Sequence, residues 1–90
     1  MLVAFRWDPA KARSNLRKHR VDFADAVGVF DDPRALTRED FVRGEIRFAT
    51  LGLDVLGRLL VVVWTQRDDE LRIISARRTT RGETKNYQDA

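Results

Sequence analysis

The stretch Leu59-Leu-Val-Val-Val-Trp-Thr-Gln-Arg-Asp-Asp-Glu-Leu-Arg-Ile-Ile-Ser-Ala-Arg-Arg78 decides the fold. Its opening, residues 59–65, is apolar up to Thr65, as a central strand covered on both faces requires. Residues 67–70 crowd four charges together and make a turn. Residues 71–77 then read as the last strand. With period-2 alternation, Arg72, Ile74, Ala76 and Arg78 share one face, and Leu71, Ile73, Ser75 and Arg77 the other. A short turn between two strands makes them antiparallel. Working back, residues 47–53 read as a third strand. Asp54-Val-Leu-Gly57 joins it to the central one, with Gly57 available for positive φ. The three strands form an antiparallel meander.

Upstream of residue 35 the period changes. Leu2-Val-Ala-Phe5 reads as a short strand. Asp8-Pro9 places an N-cap before a proline at the first helical position, so a helix should run from there to about Arg20. Asp22 caps a second helix, in which Phe23, Ala26, Val27 and Phe30 follow the i, i+3, i+4, i+7 rule. Asp31-Asp32-Pro33 stops it. Residues 37–45 are charged and predict an exposed connection, with at most a short strand near Ala35-Leu-Thr37. At the other end, Thr79 or Thr80 caps a short helix carrying Glu83 and Tyr87, which Gly82 weakens by roughly 1 kcal/mol. The predicted order is β-α-α-β-β-β-α. The helices must bury their apolar faces on an antiparallel sheet, giving a small single α+β domain over residues 1–90.

Ninety residues suffice for one domain with a modest core. The absence of cysteine excludes disulfides and thiolate zinc sites, and a single histidine excludes a His-rich metal site. No apolar run reaches the ~18 residues that span a bilayer, and the N-terminus lacks a basic-then-apolar signal pattern. The expectation is a cytoplasmic protein that contacts no membrane.

The net charge of +3 is unevenly spread. Residues 1–30 carry a net +3, residues 31–70 a net −3, and residues 71–90 a net +3. If the two ends meet in space, they form a basic patch suited to a phosphate-bearing partner. A solvated arginine-rich surface is the plainer alternative.

On the first helix, Lys11, Asn15 and Lys18 lie within about 60° of one another, beside an apolar stripe of Ala12 and Leu16. His19 falls about 40° from Asn15, between the two stripes. It can pack at the core edge or reach a ligand. Asp8 reads as a cap. Trp7 can stack a base or join the core, and the core is the commoner fate; for Trp64, inside its apolar run, more so. The cluster of Arg77 and Arg78, with Arg67, Arg72, Arg81 and Lys85 nearby, can grip phosphates or pair with Asp68, Asp69, Glu70 or Glu83.

These residue types fit metal-free RNA cleavage. The 2′-hydroxyl is an internal nucleophile, so the site needs a proton carrier and cations for the charge that builds on the phosphorus. Histidine suits the first task near neutral pH, and lysine and arginine the second. No phosphate-cradling glycine loop, cysteine nucleophile or carboxylate pair offers another chemistry.

Phe5-x-Trp-Asp8, Lys11, Asn15, Lys18-His19, Val21-x-Phe23, Ala26 and Val29-Phe30 resemble the opening of the BrnT family, ribonuclease toxins of type II toxin–antitoxin systems. Gly44-Glu45-x-Arg47, Val61-Val-Val-Trp-Thr65 with Arg67, Arg72-Ile-Ile-Ser-Ala-Arg-Arg78, Glu83 and Tyr87 resemble its second half. Two positions depart from the family pattern: Arg20 stands where glycine usually follows Lys-His, and Trp64 where tyrosine is more usual. The resemblance implies a RelE-like fold, a metal-independent endoribonuclease without cofactor, and arrest of translation. It implies a cognate BrnA-type ribbon-helix-helix antitoxin, the complex repressing its own promoter and contacting DNA only through the antitoxin. It assigns His19, Lys18, Arg67 and Arg77 to catalysis, and Trp7, Asp8, Lys11, Asn15, Arg72 and Arg78 to RNA binding. Two other readings stay open: a catalytically weak module that binds nucleic acid or docks a partner, and a structural protein whose basic face meets an acidic partner.

Overall fold

The computed structural model describes residues 3–90; Leu2, the predicted start of the first strand, lies outside them. The elements run β1 (Ala4–Arg6), α1 (Pro9–His19), α2 (Phe23–Ala26), a 3-10 turn (Val27–Asp31), β2 (Leu36–Val42), β3 (Glu45–Leu53), β4 (Leu59–Arg67), β5 (Glu70–Arg78) and α3 (Arg81–Asp89). The five strands form one sheet in the order β1-β5-β4-β3-β2. The meander β3-β4-β5 is antiparallel as predicted.

Local signals act where the sequence places them. Asp8 Oδ1 accepts from the Ala10 N–H (2.9 Å), and Pro9 follows at the first helical position. Asp22 Oδ1 accepts from the Ala24 N–H (2.9 Å). Thr80, rather than Thr79, caps α3 in a reciprocal box with Glu83. The second helix is shorter than its apolar spacing predicts, because it tightens into the 3-10 turn at Val27. There Gly28 touches the β3–β4 loop so closely that a Cβ would sit 2.5 Å from the Val55 nitrogen. Only glycine fits that approach.

Three expectations are corrected. Residues 37–45 are not a connection: β2 pairs with β3 from Leu36↔Leu51 to Val42↔Glu45. The turn between them holds only Arg43 and Gly44, both at positive φ (51° and 77°). That pair of conformations is what a two-residue hairpin demands. Because β2 is an edge strand with no buried residue, it lacks the half-apolar alternation by which strands are recognised. Secondly, the sheet is not wholly antiparallel, since β1 lies parallel to β5 (Ala4↔Glu70 to Arg6↔Arg72). Thirdly, β5 does not alternate regularly. Val63 faces Ser75 but Trp64 faces Ile73, so Ile74 is an extra residue in a β-bulge. The bulge resets the period. Leu71, Ile73 and Ala76 all turn into the core, and Arg72 and Arg77 turn out.

The core lies between the α1–α2 side of the chain and one sheet face, built from Val21, Phe23, Ala26, Val29, Leu60, Val62, Leu71, Ile73 and Ala76. An aromatic chain extends it: Phe5 stacks on Phe30 (5.4 Å), Phe30 meets Trp64 edge-on (5.5 Å), and Trp64 stacks on Phe48 (4.4 Å). The Trp64 indole N–H donates to Thr50 Oγ1 (2.8 Å), which satisfies the polar end of this half-buried tryptophan. Among the described residues, no helix is long and apolar enough to cross a membrane.

Candidate functional site

Strand β1 covers the β5 edge only as far as Arg72. Beyond it the chain turns at Asp8-Pro9 into α1, which takes over the same edge. Unpaired strand-edge groups that are buried need partners. Asn15 supplies them as a neighbouring strand would. Its Oδ1 accepts from the Ala76 N–H (3.1 Å), and its Nδ2 donates to the Ala76 carbonyl (2.8 Å). The same Nδ2 donates to the Val21 carbonyl (3.1 Å), tying down the corner between α1 and α2. Asn15 is buried, and its amide is fully used. The residue expected to touch RNA is the one that fixes the helix to the sheet.

With Asn15 anchored, its neighbours on the stripe face outward along the seam. Lys11, Ser14, Lys18 and half-buried His19 line a groove with Asn15, Ile74 and Ser75. A second hollow is lined by Asp8, Lys11, Arg67, Arg72, Ile73 and Ile74. Lys11 and Ile74 border both, so the two form one groove along the α1–β5 seam. The β5 bulge brings Ile74 and Ser75 to its wall together. Asp8 is the one acidic side chain in this lining. Leu16, expected on the apolar stripe, is instead 44% exposed, while Ala12 packs on the core.

Helix α1 ends at Arg20, which adopts φ 59°, ψ 31° and donates its N–H to the Leu16 carbonyl (2.9 Å). This left-handed cap is the conformation glycine takes most readily, which accounts for the glycine that the resemblance leads one to expect here. Arg58 steadies the cap by donating to the Arg20 carbonyl (3.1 Å). The other donors of that guanidinium hold the buried Asp54 carboxylate (2.9 and 2.7 Å). The residue before the groove's end, His19, therefore sits on a tethered turn.

The structure thus brings Asp8, Lys11, Lys18, His19, Arg67 and Arg72 to one groove. Asn15 lies in the groove wall with its amide committed to the scaffold, and Trp7, Arg77 and Arg78 lie elsewhere. Trp7 packs edge-on against Phe23 (6.0 Å), beside the core. Arg78 is exposed at the far end of β5, in register with Leu60. Arg77 lies on the sheet face away from α1 and α2, where Glu83 takes both of its terminal nitrogens (2.8 Å each). That fork holds the Glu83 carboxyl down to about 2, against its burial, with help from the Thr80 N–H. Tyr87, on the predicted last helix, is buried, and its hydroxyl donates to Asp32 Oδ2 (2.6 Å). That bond, together with burial, pushes the phenol up. Burial tends to raise the Asp32 carboxyl, but bonds from Tyr87, Leu53 and Arg34 outweigh it and leave it lowered. Arg77–Glu83 and Asp32–Tyr87 are clasps that fasten α3.

Sequence reasoning missed Ser14 and Ser75 in the groove and the arginines of the open sheet face beyond it. Arg47 had a signal, since it alternates with core-facing Phe48. Ser75 had none, because only the bulge turns it outward. Among the described residues, no three His, Cys, Asp or Glu side chains gather where they could hold a metal ion.

Comparison with known proteins bears on this groove. A family model described as ribonuclease toxin, BrnT, of type II toxin-antitoxin system matches residues 7–83. The crystal structure of the Brucella abortus ribonuclease toxin BrnT matches with a TM-score of 0.67 at 20% identity, covering 89% of this chain and all of that one. At that identity the likeness is one of fold. A search of curated proteins found no match.

Proposed function

The chain belongs to the BrnT family of ribonuclease toxins of type II toxin–antitoxin systems, and from that premise we propose that it cleaves RNA in the α1–β5 groove without a metal ion. The observation that carries this reading is the continuity of the groove. The lone imidazole and four cationic side chains, Lys11, Lys18, Arg67 and Arg72, open onto one hollow through the shared border of Lys11 and Ile74.

In the proposed reaction the 2′-oxygen attacks the adjacent phosphorus and the bond to the 5′-oxygen breaks. His19 takes the 2′-hydroxyl proton and hands one to the departing 5′-oxygen. The products are a 2′,3′-cyclic phosphate and a 5′-hydroxyl. Lys11, Lys18, Arg67 and Arg72 stabilise the charge that develops on the phosphoryl oxygens, where fixed cations act most strongly. Asp8 holds the start of the helix that carries Lys11. Asn15 and Arg77 act on the scaffold.

Incubation with end-labelled RNA in excess EDTA tests this. The wild type should yield fragments ending in cyclic phosphate. Folded His19→Ala should lose about 100-fold or more in rate, the usual scale for a proton-transfer group. Full activity in that variant would remove His19 from the reaction. RNA bound but uncut by the wild type would favour a binding module.

A type II toxin implies an antitoxin. We infer a BrnA-type ribbon-helix-helix partner whose complex with this chain represses their promoter, with DNA contacts made by the antitoxin, and a cytoplasmic setting in which the target is translated RNA. Co-expression with the adjacent reading frame should restore growth and yield a stable complex.

A further inference from the structure

The sheet face opposite α1 and α2 carries a row of side chains at one level. Arg6 is in register with Arg72, and Arg72 with Thr65. On the far side of Thr65 stands Arg47, one residue before Phe48, whose partner is Trp64. Alternation fixes the facing of each. Phe5, Phe48, Trp64, Leu71 and Ile73 are turned to the core side, so Arg6, Arg47, Thr65 and Arg72 point to the open face. Thr65 spends its hydroxyl on the Ile46 carbonyl (3.2 Å) and leaves a low floor between the two arginines.

Arg47 and Arg72 share a property found at no other side chain among the described residues. The Nε of each is buried and has no hydrogen-bond partner. A buried donor on a charged group, left unpaired, is unfavourable. Arg47 has one loose ion pair, with Glu45 at 3.6 Å. Arg72 makes none among the described residues. Two like charges flank one threonine, each with an unused donor. The two strands either side of β4 lie roughly 10 Å apart.

We propose that Arg47 is a phosphate-binding residue, and that with Arg72 it carries the RNA strand out of the α1–β5 groove, across Thr65, over the open sheet face. Arg72 lines the groove and begins the path; Arg47 takes the next reachable phosphodiester. An extended polyanion matches this row because the half-exposed guanidinium of each arginine can offer its terminal nitrogens to the oxygens of a phosphate. The inference rests on RNA occupying the groove, but not on its being cut there.

Binding of uncleavable 2′-O-methyl RNA separates the two. A dinucleotide has one phosphodiester and fills the groove alone, whereas a hexanucleotide reaches Arg47. Arg47→Met should weaken the hexanucleotide about tenfold and leave the dinucleotide unchanged. It should also reduce the slope of log affinity against log salt by about 0.7, the loss of one single-strand phosphate contact. Arg47→Lys keeps the charge and the stem but removes the planar pair of terminal nitrogens, and should weaken the hexanucleotide by about threefold. An unchanged hexanucleotide affinity in the folded variants, or equal weakening of both ligands, overturns the path across Thr65. A protein that shows these binding differences yet cuts no RNA would refute the cleavage reading alone.

Discussion

Arg20 is a residue in a conformation its side chain disfavours. A left-handed backbone places Cβ against the following carbonyl, at a cost of roughly 1–2 kcal/mol. Arg20→Gly removes that clash but frees the unfolded chain, so part of the gain is lost. The expected result is a net stabilisation of about 0.5–1 kcal/mol, read as a rise in Tm of about 3–6 °C. The carbonyl that Arg58 holds belongs to the backbone and survives the change. A Tm that stays level or falls would mean that the arginine side chain repays its strain through contacts of its own. The departure at this position was legible in the sequence; the reason for the usual glycine required the backbone angle.

At the scale of elements, α1 substitutes for a strand. It completes the β5 edge with one side chain, and that arrangement was invisible in the periodicity. The spacing of Lys11, Asn15 and Lys18 predicted a polar stripe, which exists. It could not say that the middle member turns inward, because an asparagine facing solvent and one bonded to a strand edge have the same spacing. Asn15→Ala leaves the Ala76 N–H and both carbonyls without their partner. The expected cost is about 2–4 kcal/mol, measured as a drop in the urea midpoint. A variant of unchanged stability with weakened RNA binding would instead restore Asn15 to the direct RNA contact expected from its position. β2 is the opposite case. It is a full strand whose exposure on both faces erased the alternation that would have revealed it.

At the scale of the whole molecule, α3 is fastened across the sheet by two clasps, and their carboxylates give the fold a dependence on pH. The Glu83 carboxyl titrates at about 2 rather than 4.5, chiefly because Arg77 donates to it. A depressed carboxyl stabilises the fold fully above the unfolded value of 4.5 and ceases to do so as pH falls towards 2. The Asp32 carboxyl, lowered mainly by the bond from Tyr87 against its burial, acts with the same sign. After screening is allowed for, the Glu83 contribution is about 1–2 kcal/mol. Thermal melts between pH 5 and pH 2.5 should show a fall in Tm that Glu83→Gln makes shallower. Parallel curves for the two proteins would show that Glu83 contributes nothing to the acid limb.

The sequence by itself determined what depends on neighbours a few residues away. Asp8-Pro9, Asp22 and the Thr80–Glu83 box set helix starts through bonds spanning two or three positions. The apolar run at residues 59–65 and the turn at Gly57 set the meander. The tertiary structure decided what depends on pairing between distant segments. It placed β1 parallel to β5, and it inserted Ile74 as a bulge that reverses which residues of β5 face out. It handed the β5 edge to Asn15, and it set Arg47 and Arg72 across one threonine. Strand register and edge partners are settled by which surfaces can be buried together, and a linear pattern carries no record of its partner.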